Sequence, residues 1–172
     1  MARLDYVEPA GEVTERIKAR RGGELIALDK MLLHAPAIAA GWSTLLGAIR
    51  TGSSLPADVR ELVILRIAYI NQAGFEWHDH EKIGRDSGLD DQQINALREG
   101  TKNGLSGVQW LALQYCDEMT RNVKVSDELF AKLKAALRAK ELVELTATVG
   151  AYNMVSRFLV ALNVAEQNGV AF

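Results

Sequence analysis

The sequence has a single cysteine, Cys116, among its 172 residues. One cysteine excludes a disulfide framework within the chain and a cysteine-based zinc site. The formal net charge is −2, so the chain lacks the excess of positive charge that nucleic-acid-binding proteins carry. A glycine-rich phosphate-binding loop and a G-x-S-x-G nucleophile motif are also absent. The chemistry of this protein therefore has to be sought in other side chains.

Long hydrophobic runs are missing as well. The longest uncharged apolar run, residues 145–156, is well short of the about 20 residues that a membrane-spanning helix needs. The N-terminal residues lack the basic and then apolar pattern of a signal peptide. Apolar residues make up 48% of the chain, and its length suits one domain. We therefore expect a soluble, cytoplasmic protein.

The periodicity of apolar residues indicates an all-α protein, because no stretch alternates for long enough to predict a strand. About seven or eight helices are expected in a single domain that spans residues 23–172. Residues 1–22 mix proline, glycine and charges with weak periodicity, and they predict an extended arm that can lie on a neighbouring chain. The predicted helices span residues 24–33, 36–50, 56–72, 74–88, 90–99, 106–121, 126–138 and 140–168.

Residues 56–88 form the stretch on which the rest of the prediction depends. They read as a hairpin of two helices, and the first of these is apolar on nearly every side, as in a helix that is buried all round. This first helix nevertheless carries Glu61, and a buried carboxylate needs a partner. The second helix carries Glu76 and His80, whose spacing places them on one face.

A carboxylate beside an imidazole raises the pKa of the imidazole while burial lowers it, so His80 is a candidate general acid or base near neutral pH. The alternative is a contact that only satisfies two buried groups. A metal site at Glu61, Glu76 and His80 is a further alternative, but the second half of the chain supplies no obvious additional ligand, so we expect none. Cys116 lies in an apolar helix and is expected to be inert.

The motifs around this hairpin resemble the carboxymuconolactone decarboxylase family, whose superfamily also contains the alkylhydroperoxidase D peroxidases. The resemblance extends over roughly residues 36–168 and implies an alkylhydroperoxidase D-like helical bundle with a central buried hairpin. The motifs that carry it are ELVILR at 61–66, Glu76-Trp77-x-x-His80, GLDDQQINAL at 88–97, ELVEL at 141–145 and YNMVSRF at 152–158.

The peroxidase branch of this superfamily uses a C-x-x-C-x-x-x-H motif after its glutamate. Counted from Glu61, the two cysteine positions fall on Ala73 and Glu76, and the histidine position falls on His80. Thiol peroxidase chemistry requires one thiolate to attack and a second to resolve. The resemblance therefore implies a member without that activity, and Cys116 lies outside the motif.

The decarboxylase branch is the closer resemblance, and it implies site residues. His80 would act as general acid or base on a dienolate that forms as carbon dioxide leaves. Glu61 would orient His80 or balance its charge, and Glu76 would be a second proton carrier. No cofactor is expected.

Two arginines are candidates to receive a carboxylate of the substrate, Arg66 and Arg157. The alternative for both is a salt bridge within the chain, to Glu61 or Glu144. Trp77 and Tyr152 are expected to form walls of the substrate pocket.

Two long helices that are apolar on most sides exceed what one small core hides, so we expect self-association. The resemblance implies a trimer or hexamer with the site near a subunit boundary, and the alternative is a monomer. Three functions remain open: a cofactor-free decarboxylase or isomerase for a small carboxylated lactone or related acid, a non-catalytic oligomeric binding protein, and a metal-dependent hydrolase.

Overall fold

The computed structural model describes residues 1–167 of the chain. This part of the chain holds nine α-helices, one short 3₁₀-helix and no strand, so the predicted all-α class is confirmed. The α-helices are α1 (Glu12–Arg21), α2 (Ala27–Leu32), α3 (Pro36–Thr51), α4 (Ala57–Ile70), α5 (Gly74–Asp86), α6 (Asp91–Glu99), α7 (Gly107–Asn122), α8 (Asp127–Ala136) and α9 (Ala139–Leu162), and the 3₁₀-helix is Val164–Glu166.

The helix α4 occupies the centre of the bundle. It contacts α5, α6, α7 and α9, and the side chains from Leu62 to Ala68 are almost completely buried. A helix whose sequence is apolar on all sides finds apolar neighbours on all sides in this arrangement. The central buried hairpin that the sequence predicts is therefore formed by α4 and α5.

The turn of this hairpin is tight. Gln72 adopts a positive φ of 54° between the two helices, and α5 begins at Gly74. A Cβ atom at Gly74 would lie only 1.9 Å from the backbone oxygen of Gln167. Glycine is therefore required where the end of the described chain crosses the start of α5.

The N-terminal segment differs from the extended arm that the sequence predicts. It contains the ten-residue helix α1, which packs on α3 and buries Thr14 and Ile17. Its helical character lies in its charges, with acids in the first turn and bases in the last turn, where they suit the helix dipole. Residues 1–7 bond to the end of α9 and to α2 of the same chain. The division of the chain at residue 22 stays a prediction.

The capping boxes that the sequence predicts are present. Asp90 accepts from the backbone of Gln93, and Ser106 accepts from that of Gln109. The last helix is shorter than predicted, because Asn163 with a φ of 48° ends it. The predicted helix end at Asn168 and the glycine after it lie outside the described residues.

Among the described helices, only α9 has the length and mean hydropathy of a membrane span. Its contacts with α3, α4, α5, α7 and α8 are those of a core helix. Cys116 on α7 is fully buried, and burial raises the pKa of its thiol. This environment suits the inert core residue that the sequence predicts.

Candidate functional site

Glu61 and His80 meet where α4 and α5 pack against each other. Oε2 of Glu61 lies 2.7 Å from Nδ1 of His80, and the two residues are only 1% and 4% exposed. Glu61 lies on α4 and His80 lies opposite it on α5. Each therefore has a hydrogen-bond partner in the core. The contact agrees with the role that the family resemblance implies for Glu61, which is to orient His80.

The second nitrogen of His80 faces Arg50, which lies in the last turn of α3. The Arg50 guanidinium is 3.3 Å from Nε2 of His80. Because a guanidinium only donates, this contact makes Nε2 an acceptor and leaves the imidazole proton on Nδ1, where it is donated to Glu61. Nε2 is therefore the basic atom of the pair.

The carboxyl group of Glu61 is ionised in this setting. Burial alone raises its pKa, but the hydrogen bond from His80 and the charge and hydrogen bond of Arg60 act in the opposite direction, and the pKa lies below its ordinary value. Arg60 contacts the other carboxylate oxygen at 3.1 Å. Glu61 is therefore a fixed negative charge that orients the imidazole.

Glu76, in the first turn of α5, has the opposite character. It is 2% exposed, and neither of its carboxyl oxygens has a hydrogen-bond partner within residues 1–167. Burial raises the pKa of Glu76 well above its ordinary value, with Arg50 opposing the shift and Asp79 adding to it. The site therefore combines a glutamate whose ionised form is stabilised with a glutamate whose neutral acid form is favoured by burial.

Glu76, His80 and Arg50 line one narrow cavity of about 40 Å³ that is partly open to solvent. About half of the side chains in its wall are apolar. Tyr152 of α9 also lines it, and its buried hydroxyl has no hydrogen-bond partner among the described residues. The apolar wall consists of Ile17, Ile26, Leu28, Leu32, Ala39, Trp42, Leu46, Phe75, Val155 and Leu159.

Three of the residues predicted to bind substrate do not line this cavity. Trp77 faces away from it, with its indole nitrogen bonded to Glu81 and Arg98 stacked over its ring at 4.6 Å. Arg66 donates to both carboxylate oxygens of Asp117 at 2.6 Å. These side chains serve the packing between helices.

Arg157 likewise lies outside the cavity. It donates to the backbone and side-chain oxygens of Asn153 and to the carbonyl of Thr120. Both candidate arginines thus have partners within the chain, as the alternative to substrate binding predicted. The partners are not the predicted ones, Glu61 and Glu144. Glu144 instead accepts from the backbone and hydroxyl of Ser54.

The sequence reasoning missed Arg50. A signal was present, because Trp42, Leu46 and Arg50 are spaced four apart and share one face of α3. A cation on the inward face of an apolar helix indicates a buried anion or a site. Its proximity to His80 could not be inferred, because the two residues lie 30 positions apart in the sequence and on different helices.

Within residues 1–167, no group of three or more His, Cys, Asp or Glu side chains is arranged to hold a metal ion.

The comparison with protein families agrees with the resemblance noted in the sequence. The model of the carboxymuconolactone decarboxylase family matches residues 36–101. This segment runs from α3 to α6 and carries Glu61, Glu76 and His80, while the cysteine pair of the peroxidase branch is missing from it. The resemblance is confirmed for this segment. No curated protein matches the chain in sequence.

Solved structures confirm the alkylhydroperoxidase D-like fold. A peroxidase-related protein from Silicibacter sp. TM1040 superposes with a TM-score of 0.81 at 18% identity, over 98% of this chain and 94% of its own. A peroxidase-related protein from Ralstonia eutropha JMP134 with an alkylhydroperoxidase AhpD core has a TM-score of 0.80 at 14% identity, over 96% of this chain and 94% of its own. A protein of unknown function from Agrobacterium tumefaciens, described as an AhpD-type antioxidant defence protein, has a TM-score of 0.71 at 24% identity. The match covers 77% of this chain and 92% of its own.

Proposed function

Because residues 36–101 match the carboxymuconolactone decarboxylase family and the chain has the alkylhydroperoxidase D-like fold, we propose that it is a cofactor-free decarboxylase or isomerase for a small carboxylated lactone or related acid. One observation carries the proposal. A basic imidazole nitrogen oriented by an ionised glutamate shares a cavity with a neutral carboxylic acid. Two titratable groups held in opposite protonation states are what proton transfer requires.

His80 is the base in this proposal. Its Nε2 accepts a proton from the carbon next to the carbonyl of the substrate, and Glu61 stabilises the imidazolium that results. The fixed geometry of the 2.7 Å bond to Glu61 keeps the basic nitrogen pointing at the cavity. Glu61 does not touch the substrate and acts only through His80.

Glu76 is the acid. In an isomerisation, the electron pair left by proton removal passes into the conjugated carbonyl, and Glu76 returns a proton to a different carbon. In a decarboxylation, the bond to the carboxylate carbon breaks, its electron pair forms the dienolate, and Glu76 protonates that dienolate. Each decarboxylation consumes one proton, which solvent replaces, and releases one molecule of carbon dioxide.

Arg50 takes the role that the sequence gave to Arg66 and Arg157. It lines the cavity next to His80. A guanidinium in this position can bind a substrate carboxylate or the negative charge that develops on the enolate oxygen.

A non-catalytic binding protein on the same scaffold is the second reading. It would be favoured if Glu61 and His80 only satisfied each other and no cavity reached them. The cavity beside Nε2 and the unpartnered carboxyl group of Glu76 support the catalytic reading instead. No donor set within residues 1–167 favours a metal-dependent hydrolase, and metal analysis of the purified protein tests that reading directly.

The experiment is an NMR assay in D₂O with small unsaturated γ-lactones that carry a carboxylate. We expect deuterium to appear at the carbon conjugated with the lactone carbonyl. Release of one carbon dioxide per turnover identifies a decarboxylase, and deuterium incorporation without carbon dioxide identifies an isomerase. The absence of both reactions across the set of lactones would reject the proposal and leave the binding reading.

The test variant is His80→Asn, whose amide keeps a donor near the position of Nδ1 and so limits the loss of stability at Glu61. We expect at least a hundredfold loss of deuterium incorporation. The matched control is His78→Asn, which changes an exposed histidine on the same helix and should leave the rate unchanged. Circular dichroism checks that both variants fold. A His80→Asn protein with the rate of the unaltered chain would assign the reaction to another group.

We also propose that the chain self-associates. Leu45 of α3 and Val143 of α9 are 45% and 68% exposed, and they line the same surface groove. An exposed apolar surface of this kind supports an interface between subunits. Sedimentation at micromolar concentration distinguishes a trimer or hexamer from a monomer. A cytoplasmic location stays a prediction from the sequence.

A further inference from the structure

The helix α1 forms part of the wall of the cavity, although it lies outside the segment that matches the family. Ile17, Arg20 and Arg21 of α1 all line it. The helix is followed by Gly22 and Gly23, which have φ values of 83° and 114°. These backbone conformations favour glycine, and the two residues end α1 and turn the chain towards α2.

Few contacts hold α1 in place. Its buried residues are only Thr14 and Ile17. The strongest polar contact is with Asp29 of α2, which is buried and accepts from the guanidinium of Arg21 at 2.8 and 3.1 Å. Asp29 therefore neutralises Arg21.

Arg20 is not neutralised to the same degree. Its closest carboxylate contact is with Asp29 at 3.7 Å, and its side chain is 34% exposed at the mouth of the cavity. Desolvation first, and then the charges of Arg21 and Arg50, lower the pKa of Arg20. Two like-charged guanidinium groups, Arg20 from α1 and Arg50 from α3, thus face one cavity.

The balance of charge around the cavity is positive. Asp29 compensates Arg21, and Arg60 compensates Glu61, while His80 and Glu76 are neutral in the pairing described above. Asp79 is the remaining acid on the wall, against Arg20 and Arg50. Among the cavity groups of residues 1–167, one uncompensated positive charge remains, and an anion placed between the two arginines would relieve their repulsion.

We infer that one anionic group of the ligand binds between Arg20 and Arg50, and that it thereby holds α1 closed over the cavity. Arg20 is then a specificity-determining residue, because it adds a second donor for the anion that Arg50 binds. The inference rests on the proposed function for the position of the anion at Arg50. It adds that the protection of the N-terminal helix α1 depends on whether the anion is bound.

The probe is 2-furoate, a small ring carboxylate, and 2-furamide is its uncharged counterpart. Hydrogen exchange of the amides of residues 12–21 is measured on the full chain with and without each compound. We expect 2-furoate to slow exchange in α1 and 2-furamide to have no effect. Equal protection by both compounds, or none by either, would overturn the inference.

The variant Arg20→Gln should bind 2-furoate about three- to tenfold more weakly, as expected for the loss of one partly exposed charged contact. It should also lose the protection of α1. The matched control is Arg16→Gln, which removes the same charge from an exposed position on the same helix and should match the unaltered chain. An Arg20→Gln protein with unchanged affinity and unchanged protection would overturn the inference.

The proposed function is judged separately by deuterium incorporation into the lactones. A chain that catalyses this exchange but shows no 2-furoate-dependent protection of α1 retains the proposed function and loses the inference. A chain in which 2-furoate protects α1 but no lactone exchanges retains the inference about the anion and loses the proposed reaction.

Discussion

The ring of Tyr152 meets the ring of His80 edge-on, with the centroids 5.1 Å apart and the planes at 90°. This contact joins the long helix α9 to the hairpin at the point where the proposed base acts. It also fixes the buried Tyr152 hydroxyl, which has no hydrogen-bond partner among the described residues, on the wall of the cavity. Burial raises the pKa of that hydroxyl, so it is a neutral donor available to a ligand.

The variant Tyr152→Phe separates ligand binding from stability. Removing an unsatisfied buried hydroxyl should leave the free energy of unfolding unchanged or raise it by about 1 kcal/mol. Affinity for 2-furoate should fall about fivefold to tenfold, because one hydrogen bond to a charged ligand is lost. Urea unfolding and calorimetric titration measure the two effects. A clear loss of stability would indicate that the hydroxyl has a structural partner instead.

The variant Glu61→Gln tests whether the carboxylate orients His80. Loss of the ionic hydrogen bond should reduce the free energy of unfolding at pH 7 by about 2 kcal/mol. Because the pKa of Glu61 is lowered in the folded chain, its stabilisation is present above the ordinary glutamate value of 4.5. It is lost as the pH falls through the lowered pKa. The difference in stability between variant and unaltered chain should therefore shrink in acid.

The same variant should lower the rate of deuterium incorporation about a hundredfold, because an uncharged amide does not stabilise an imidazolium. Glu61→Asp keeps the charge on a shorter side chain and should lose less activity than Glu61→Gln. If both variants react at the rate of the unaltered chain, Glu61 has only a structural role.

The sequence was sufficient to predict the pair that carries the site. Glu61 is a charged residue at the start of the most apolar part of its helix, and Glu76 and His80 are spaced by one helical turn. Both observations concern residues close together in the sequence. The short turn of the hairpin then brings the two helices that carry these residues into contact. The helix boundaries with capping boxes were predictable for the same reason.

The arginines and α1 could not be assigned from the sequence. Arg66 pairs with Asp117, which lies 51 residues further along the chain, and nothing local indicates that partner. Arg50 contacts His80 from the last turn of α3, 30 residues earlier in the chain, and nothing local indicates that contact either. The helix α1 has almost no apolar periodicity, so its glycine and charge signals were too weak to distinguish it from an arm.

The variant Arg66→Met distinguishes the structural role of this arginine from the substrate-binding role that the sequence suggested. Arg66 binds Asp117 and the carbonyls of Leu97 and Arg98, where it satisfies the C-terminal end of α6. We expect a loss of about 3 kcal/mol in the free energy of unfolding and an unchanged affinity for 2-furoate. Arg121→Met, at an exposed position of α7, is the control and should change neither quantity.

A large loss of 2-furoate affinity in Arg66→Met, with the fold retained, would show that Arg66 takes part in ligand binding. Affinity is measured at a temperature at which circular dichroism shows the variant to be fully folded, so that the lower stability does not appear as weaker binding.

The pH dependence of stability tests the protonation state of Glu76. Burial raises the pKa of this carboxyl group in the folded chain. Below the ordinary value of 4.5 the group is protonated in both the folded and the unfolded chain, and its burial then carries no cost of ionisation. As the pH rises from 4.5 towards the raised pKa, the unfolded chain ionises first and the folded state loses stability. Each unit by which the pKa is raised costs about 1.4 kcal/mol at high pH. Glu76→Gln removes this titration and should gain stability relative to the unaltered chain as the pH increases.

Urea unfolding from pH 5 to pH 9 measures this difference. Subtracting the curve of the variant from that of the unaltered chain removes the contributions of all other titrating groups, and Glu99→Gln, an exposed glutamate, controls for the change in chemistry. A difference that stays constant with pH would mean that Glu76 is ionised when folded. It would then need a cation close to its carboxyl group, and the proposed acid would have to be His80 instead.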